Sequence, residues 1–258
     1  MRRLRHTIIM AALASVLGGC GGAKLVRHPT TPTAMAGLVQ AADDRLAASI
    51  DWVIVRNGPG MWAKNSDWDE YMIRVRPLGV GAITITGVTL VDSLGNRLPA
   101  DDNRSDLVRE SKASVRRYKH SGLRVEAGMG GMGIAATGVG VSYGAASSMA
   151  AGSMAGGAYA GAFLFAVAAP AFGVAGIMRG VHNSQVNGEI GKRHTAFPQA
   201  IVAGVEQPMD LFFPLAPAPQ RIEIDYMDGS SAHRLEIDTS AALTGLHLPA
   251  RSTAAGAH

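Results

Sequence analysis

The stretch "RIEIDYMDGSSAHRLEID", residues 221–238, decides how the rest of the chain is read. Ile222, Ile224 and Tyr226 occupy alternate positions, Asp228-Gly229 interrupts them, and Leu235 and Ile237 resume the alternation. A period of two sends one set of side chains to a dry face and the other to water. With a turn dipeptide in the middle, the segment is predicted to be a β-hairpin.

Working outward, "QAIVAGVE" (199–206) and "MDLFFPLAP" (209–217) continue the strand pattern before the hairpin. Earlier in the chain, "EYMIRVR" (70–76) alternates Tyr71, Ile73 and Val75 with Met72, Arg74 and Arg76. "AITITGVTLV" (82–91) starts on the phase of Ile83 and Ile85 and ends on that of Val88 and Leu90, so a bulge is expected at Gly87. "LGNRLP" (94–99) reads as a turn. Two helices are expected among these strands. One covers 35–48, where Leu38, Ala42 and Leu46 have near-helical spacing. The other is a basic helix capped at Ser105 and Asp106 and ended by Gly122. About seven strands result, four before residue 127 and three or four after it. Neither group has enough strands to close a two-layer structure alone. The expectation is a mainly β chain with inserted α: one immunoglobulin-like β-sandwich interrupted by a helical hairpin. The domain limits are a leader over 1–19, a tether and short helix over 20–50, sandwich over 51–126, the insert over 127–181, sandwich again over 182–248, and a disordered tail over 249–258.

Residues 127–178 form that insert: 52 consecutive positions without Asp, Glu, Lys or Arg. A bilayer core of about 30 Å takes about twenty helical residues, so a run of this length could cross twice. Gly140, Gly144, Ser148, Gly152, Gly156 and Ala160 recur at every fourth position. On a helix they would make a smooth ridge for close backbone approach, and in this the segment resembles glycine-zipper membrane proteins. The resemblance implies packing of helices within lipid and a homo-oligomer. "YAGAFLFAVAAPAFGVAGIM" (159–178) is the better spanning candidate, and Pro170 would kink it. A water-soluble helical hairpin and a flexible linker are the other two readings of the same residues.

At the N-terminus, Arg2, Arg3 and Arg5 precede an apolar run from Ile8 to Leu17. That is the pattern of a secretion leader, too short for a spanning helix. Leu17-Gly18-Gly19-Cys20 resembles the lipobox of bacterial lipoproteins, which implies cleavage before Cys20, acylation of its thiol and a membrane-lipid partner. Gly21 rather than Asp after the cysteine implies delivery to the outer membrane, facing the periplasm. Cys20 is the sole cysteine, so no disulfide can form within the chain. Losing the three leader arginines leaves 21 basic against 20 acidic residues. The overall balance therefore gives no footing for nucleic acid.

Motifs of catalysis and ligation are weak. Gly128-Met129-Gly130-Gly131-Met132-Gly133 matches a dinucleotide-binding loop in letters only, because no acidic residue follows about twenty positions on. "DDNRSD" (101–106) lacks the glycine and distant Glu of a calcium loop. His120, His182, His194, His233 and His247 have no zinc-site spacing. No catalytic residue, metal or cofactor is assigned. Trp62, Trp68, Phe212 and Phe213 are candidate partner contacts; core packing is the other reading of the tryptophans, and a strand end followed by an extended edge segment is the other reading of the phenylalanines. The leading functional expectation is a non-catalytic envelope lipoprotein that acts as a structural or adaptor component with an envelope protein partner and self-associates through the insert. A membrane-active or pore-forming oligomer and an envelope enzyme are the alternatives.

Overall fold

Strands Arg221–Asp228 and Ser231–Asp238 pair antiparallel, with Asp228 opposite Ser231 across a loop of Gly229 and Ser230. Gly229 has φ +59°, which suits a two-residue hairpin loop whose twist must match that of its strands. The computed structural model describes residues 23–26, 38–58, 60–128 and 171–249, with residues 171–181 as backbone alone. Along these run β1 (Lys24–Leu25), β2 (Val39–Ala42), β3 (Leu46–Ile54), β4 (Ala63–Lys64), β5 (Trp68–Pro77), β6 (Ile83–Val91), β7 (Arg97–Pro99) and helix α1 (Arg104–His120). Helix α2 (Ala171–Arg193) then precedes β8 (Gln199–Ile201), β9 (Gln207–Pro214), β10 (Arg221–Asp228) and β11 (Ser231–Asp238). The described strands thus number seven before the insert, more than the pattern suggested, and four after it: β1, β4 and β7 are too short to show a period, and β2 and the start of β3 fall in the stretch read as a helix.

The chain is mainly β, with antiparallel sheets arranged as a sandwich. One sheet has the order β2-β3-β5-β9 and the other the order β11-β10-β6. The far edge of β6 is shared, β8 pairing with Ile83–Ile85 and β7 with Thr89–Val91. Segments from after the insert complete both sheets, β9 beside β5 and β10 beside β6.

Alternation explains the core. Tyr71, Ile73 and Val75 of β5 and Met209, Leu211 and Phe213 of β9 point inward from one sheet. Ile222, Ile224 and Tyr226 of β10 with Leu235 and Ile237 of β11 meet them from the other. In β6 the register slips: Asp225 faces Gly87 and Tyr226 faces Ile85, which leaves Thr86 as the extra residue. That bulge, expected at Gly87, lets Ile85 and Val88 both reach the same core although their phases differ.

A second apolar cluster lies on the other face of the first sheet. Trp62, Trp68, Phe212, Leu107 of α1, Val186 and Ile190 of α2, and Ala23 and Ala63 are buried together there. Consecutive Phe212 and Phe213 therefore serve opposite faces of β9, one in each cluster.

Three local expectations need correcting. Residues 35–48 do not form a helix. Asp43 Oδ1 accepts the N–H groups of Arg45 and Leu46, both at 2.8 Å, and this turn folds β2 back on β3. Leu46, Ala48 and Ile50 then alternate into the core, and their burial outweighs the helix propensity of the alanines. The tether is shorter than expected, because β1 pairs with β4 and the Val26 N–H donates to the Trp62 carbonyl at 2.7 Å. Helix α1 is capped by Asn103, whose side chain accepts the Ser105 N–H at 2.8 Å, rather than by Ser105 or Asp106. Its other end is as expected: Gly122, at φ +77°, turns the chain out of the helix.

Candidate functional site

The uncharged run spans residues 127–178, and the described residues that flank it are each fastened to the sandwich by named side chains. After α1 the chain runs to Glu126, whose N–H donates to the His247 carbonyl at 2.8 Å. The His247 N–H donates to the Gly128 carbonyl at 3.2 Å, and the Gly128 N–H donates to His247 Nδ1 at 2.9 Å. Since Nδ1 accepts, the imidazole carries its proton on Nε2 and donates it to Asp69 Oδ2 at 2.6 Å. Neither Asp69 nor His247 has exposed surface. Tyr71, two residues along β5, holds its hydroxyl in the same interior without a hydrogen-bond partner. Burial, and then the charge of Asp69, pushes the Tyr71 pKa well above the usual tyrosine range. His247 itself sits at φ +57°, a backbone strained for a β-carbon-bearing residue and held by these four bonds.

The return is fastened from the opposite face of the sheet. Val186 and Ile190 anchor α2 among Trp62, Trp68 and Phe212, and the Asn187 side chain accepts the first N–H of α1 at 3.1 Å. At the end of α2, Arg193 donates from Nε to Glu189 at 3.0 Å and from Nη1 to Glu70 Oε1 at 3.4 Å. Its guanidinium lies 4.8 Å from the centre of the Trp62 ring, while the indole N–H donates to Glu70 Oε2 at 2.5 Å. Burial raises the Glu70 pKa; the Trp62 bond and the Arg193 charge pull against it. The Thr195 N–H then bonds the Asp210 carbonyl at 2.8 Å and the Thr195 hydroxyl accepts the Asp210 N–H at 3.1 Å, which joins the chain leaving α2 to β9. Burial raises the Asp210 carboxyl and lowers the His194 imidazole.

Asp69 and Glu70 are consecutive in β5, so they face opposite sides of the sheet. The exit is therefore gripped from the inner face and the return from the outer face, at one point of one strand. Chemically this is a pair of clamps. Both ring nitrogens of His247 are engaged, so neither can take a proton from a substrate in this geometry. Among the described residues, no three His, Cys, Asp or Glu side chains converge as a metal would need.

Trp62, Trp68, Phe212 and Phe213 are buried in the two clusters, so as a surface for partner contact they are corrected: their area is already spent on α1, α2 and the opposite sheet. Cys20 and the zipper positions Gly140, Gly144, Ser148, Gly152, Gly156 and Ala160 lie outside the described residues, as do the hairpin turn and the tail beyond residue 249. Among the described residues no helix is long and apolar enough to cross a membrane. The clamp residues were not singled out in the sequence. "WDEY" offered one signal, two consecutive acids at the head of an apolar strand, whereas nothing near His247 or Arg193 announces their partners, which lie 178 and 123 positions away. In comparisons with known proteins, no family model matches the chain, and neither a curated protein nor a solved structure does.

Proposed function

We propose that this chain is a non-catalytic lipoprotein of a bacterial envelope: acylated at Cys20, it holds an apolar, self-associating segment on a periplasmic β-sandwich and serves as a structural or adaptor component there. One observation carries the reading. Ala23 is buried in the same cluster as Val186 and Ile190 of α2, the helix that leads out of the insert. Cys20 is three residues from Ala23, and three extended residues span at most about 11 Å. A lipid on Cys20 and the apolar run would therefore share one side of the domain, as two anchors in a single bilayer must.

The sandwich is read as immunoglobulin-like. With β3, β5, β6, β9, β10 and β11 taken as strands A, B, C, E, F and G, the pairs A–B, B–E, C–F and F–G of that fold all occur. The insert then falls between C and E, where such domains tolerate long connections.

The test is membrane extraction of the full chain and of Cys20→Ser, each on its own leader, after washing with high salt and alkaline carbonate. Retention of Cys20→Ser supports the insert as a second anchor. An unacylated Cys20 in the mature wild-type protein, found by mass spectrometry, sinks the lipoprotein reading.

A further inference from the structure

The outward face of α1 is a charged surface to which the clamps and the core give no task. Leu107, Ser111, Ser114 and Tyr118 turn inward, and on the opposite side stand Lys112, Arg116 and Lys119, at spacings of four and three residues. Arg109 is held by Asp106 and Glu110, and Arg124 by Glu126. Lys112, Arg116 and Lys119 have no carboxylate partner among the described residues, and all three are exposed.

Apolar side chains accompany them. Val115 and Leu123 are exposed on the same stretch. Beside them Lys112, Val115 and Arg116 line a shallow depression of about 320 Å³ with Asp67, Ser111 and Leu215. The one acid there, Asp67, is neutralised by Arg56 at 3.0 Å, and the Ser111 hydroxyl is occupied by the Leu107 carbonyl and the Leu215 N–H, at 2.7 and 2.9 Å. Among the described residues, nothing competes for the three cations.

We infer that this face of α1 lies against the anionic headgroups of a phospholipid bilayer. Charge complementarity is the first argument: three unpaired cations with apolar neighbours match a layer of phosphates above acyl chains. The second is position in the chain. Only six residues, 121–126, separate His120 from Ala127, where the chain enters its uncharged run. A bilayer that receives that run would begin close to the end of α1. The inference rests on the membrane reading above and adds the lipid class and the residues that recognise it.

Flotation of the full chain with Cys20→Ser on two kinds of vesicle separates the two ideas. One kind is phosphatidylcholine alone and the other contains about one quarter phosphatidylglycerol. Stronger binding to the anionic vesicles, weakened by salt, is expected. K112Q/R116Q/K119Q should lose on the order of 100-fold in partitioning to them while binding neutral vesicles as before. K112R/K119R should restore the preference, which a purely structural role for these side chains would not predict. Equal binding to both vesicles by the parent protein overturns the inference and leaves the insert as the anchor. Binding to neither overturns this inference and the membrane reading of the insert together.

Discussion

His247 Nε2 donates to Asp69 Oδ2 at 2.6 Å across 178 positions of sequence, and both side chains are wholly enclosed. The bond closes the inner clamp on Gly128, and the adjoining Glu70 closes the outer one on α2. Two neighbouring carboxylates thus tie both boundaries of the insert to the centre of the first sheet.

Removing the neutral imidazole takes away the donor that satisfies a buried carboxylate and leaves that carboxylate unpaired. His247→Ala is expected to destabilise the protein by about 3 to 5 kcal/mol in urea unfolding. It should also speed proteolysis near residues 126–128. Asp69→Asn, which keeps an acceptor oxygen for the imidazole N–H, should cost less. Equal costs for the two variants would show that the bond is not the source of the stability.

Gly128 has φ +127°, and a β-carbon there would stand 2.9 Å from the Arg56 carbonyl oxygen. Gly128→Ala is therefore strained both in its backbone and by contact. A loss of roughly 1 to 3 kcal/mol is expected, together with faster amide exchange at Glu126 and Gly128. An alanine variant as stable as the parent would mean that the exit path is not held as described.

Phe212 and Phe213 are equally buried but face different clusters, so truncation should have equal size and different location. Each alanine variant is expected to cost about 3 to 5 kcal/mol. Phe212→Ala should expose α2 to proteolysis under native conditions, whereas Phe213→Ala should lower the midpoint of the whole sandwich without selective cleavage. Identical cleavage patterns would argue against a separate helical layer.

Asp210 carries a pKa raised by burial, with Arg193 opposing the shift. As pH rises, the unfolded chain gives up this proton first, so wild-type stability falls between the ordinary carboxylate value, about 4, and the raised folded value. Asp210→Asn cannot ionise. It should be the more stable protein at neutral pH, and the gap should close as the solution is acidified through that window. Thermal unfolding of both proteins from pH 3 to pH 8 measures it; a gap independent of pH would contradict the assigned cause.

Much of the sheet content could be read from local pattern. The hairpin at 221–238, the phase of β5 and the bulge at Gly87 all rest on alternation between neighbouring side chains, which needs no knowledge of the rest of the chain. Where burial came from distant segments, local pattern failed. "AGLVQAADDRLAAS" has the composition of a helix, yet Asp43 turns it and pairing with β5 turns Leu46–Ile54 into a strand. Trp62 and Trp68 read as candidate partner contacts because the helices that cover them arrive from positions 104–120 and 171–193.

What the sequence determined by itself, then, was the class of secondary structure, the uncharged run of 52 residues and the single cysteine near the N-terminus. Tertiary structure alone decided that Asp69 and Glu70 would hold the segments flanking that run, that Phe212 and Phe213 would serve separate cores, and that Lys112, Arg116 and Lys119 would find no carboxylate partner among the described residues. The reason is physical. Periodicity reports how a residue stands relative to its neighbours in the chain, whereas a buried carboxylate is stable only when folding brings a donor within hydrogen-bond reach. For His247 and Arg193 that reach is closed by strand pairing more than a hundred residues away.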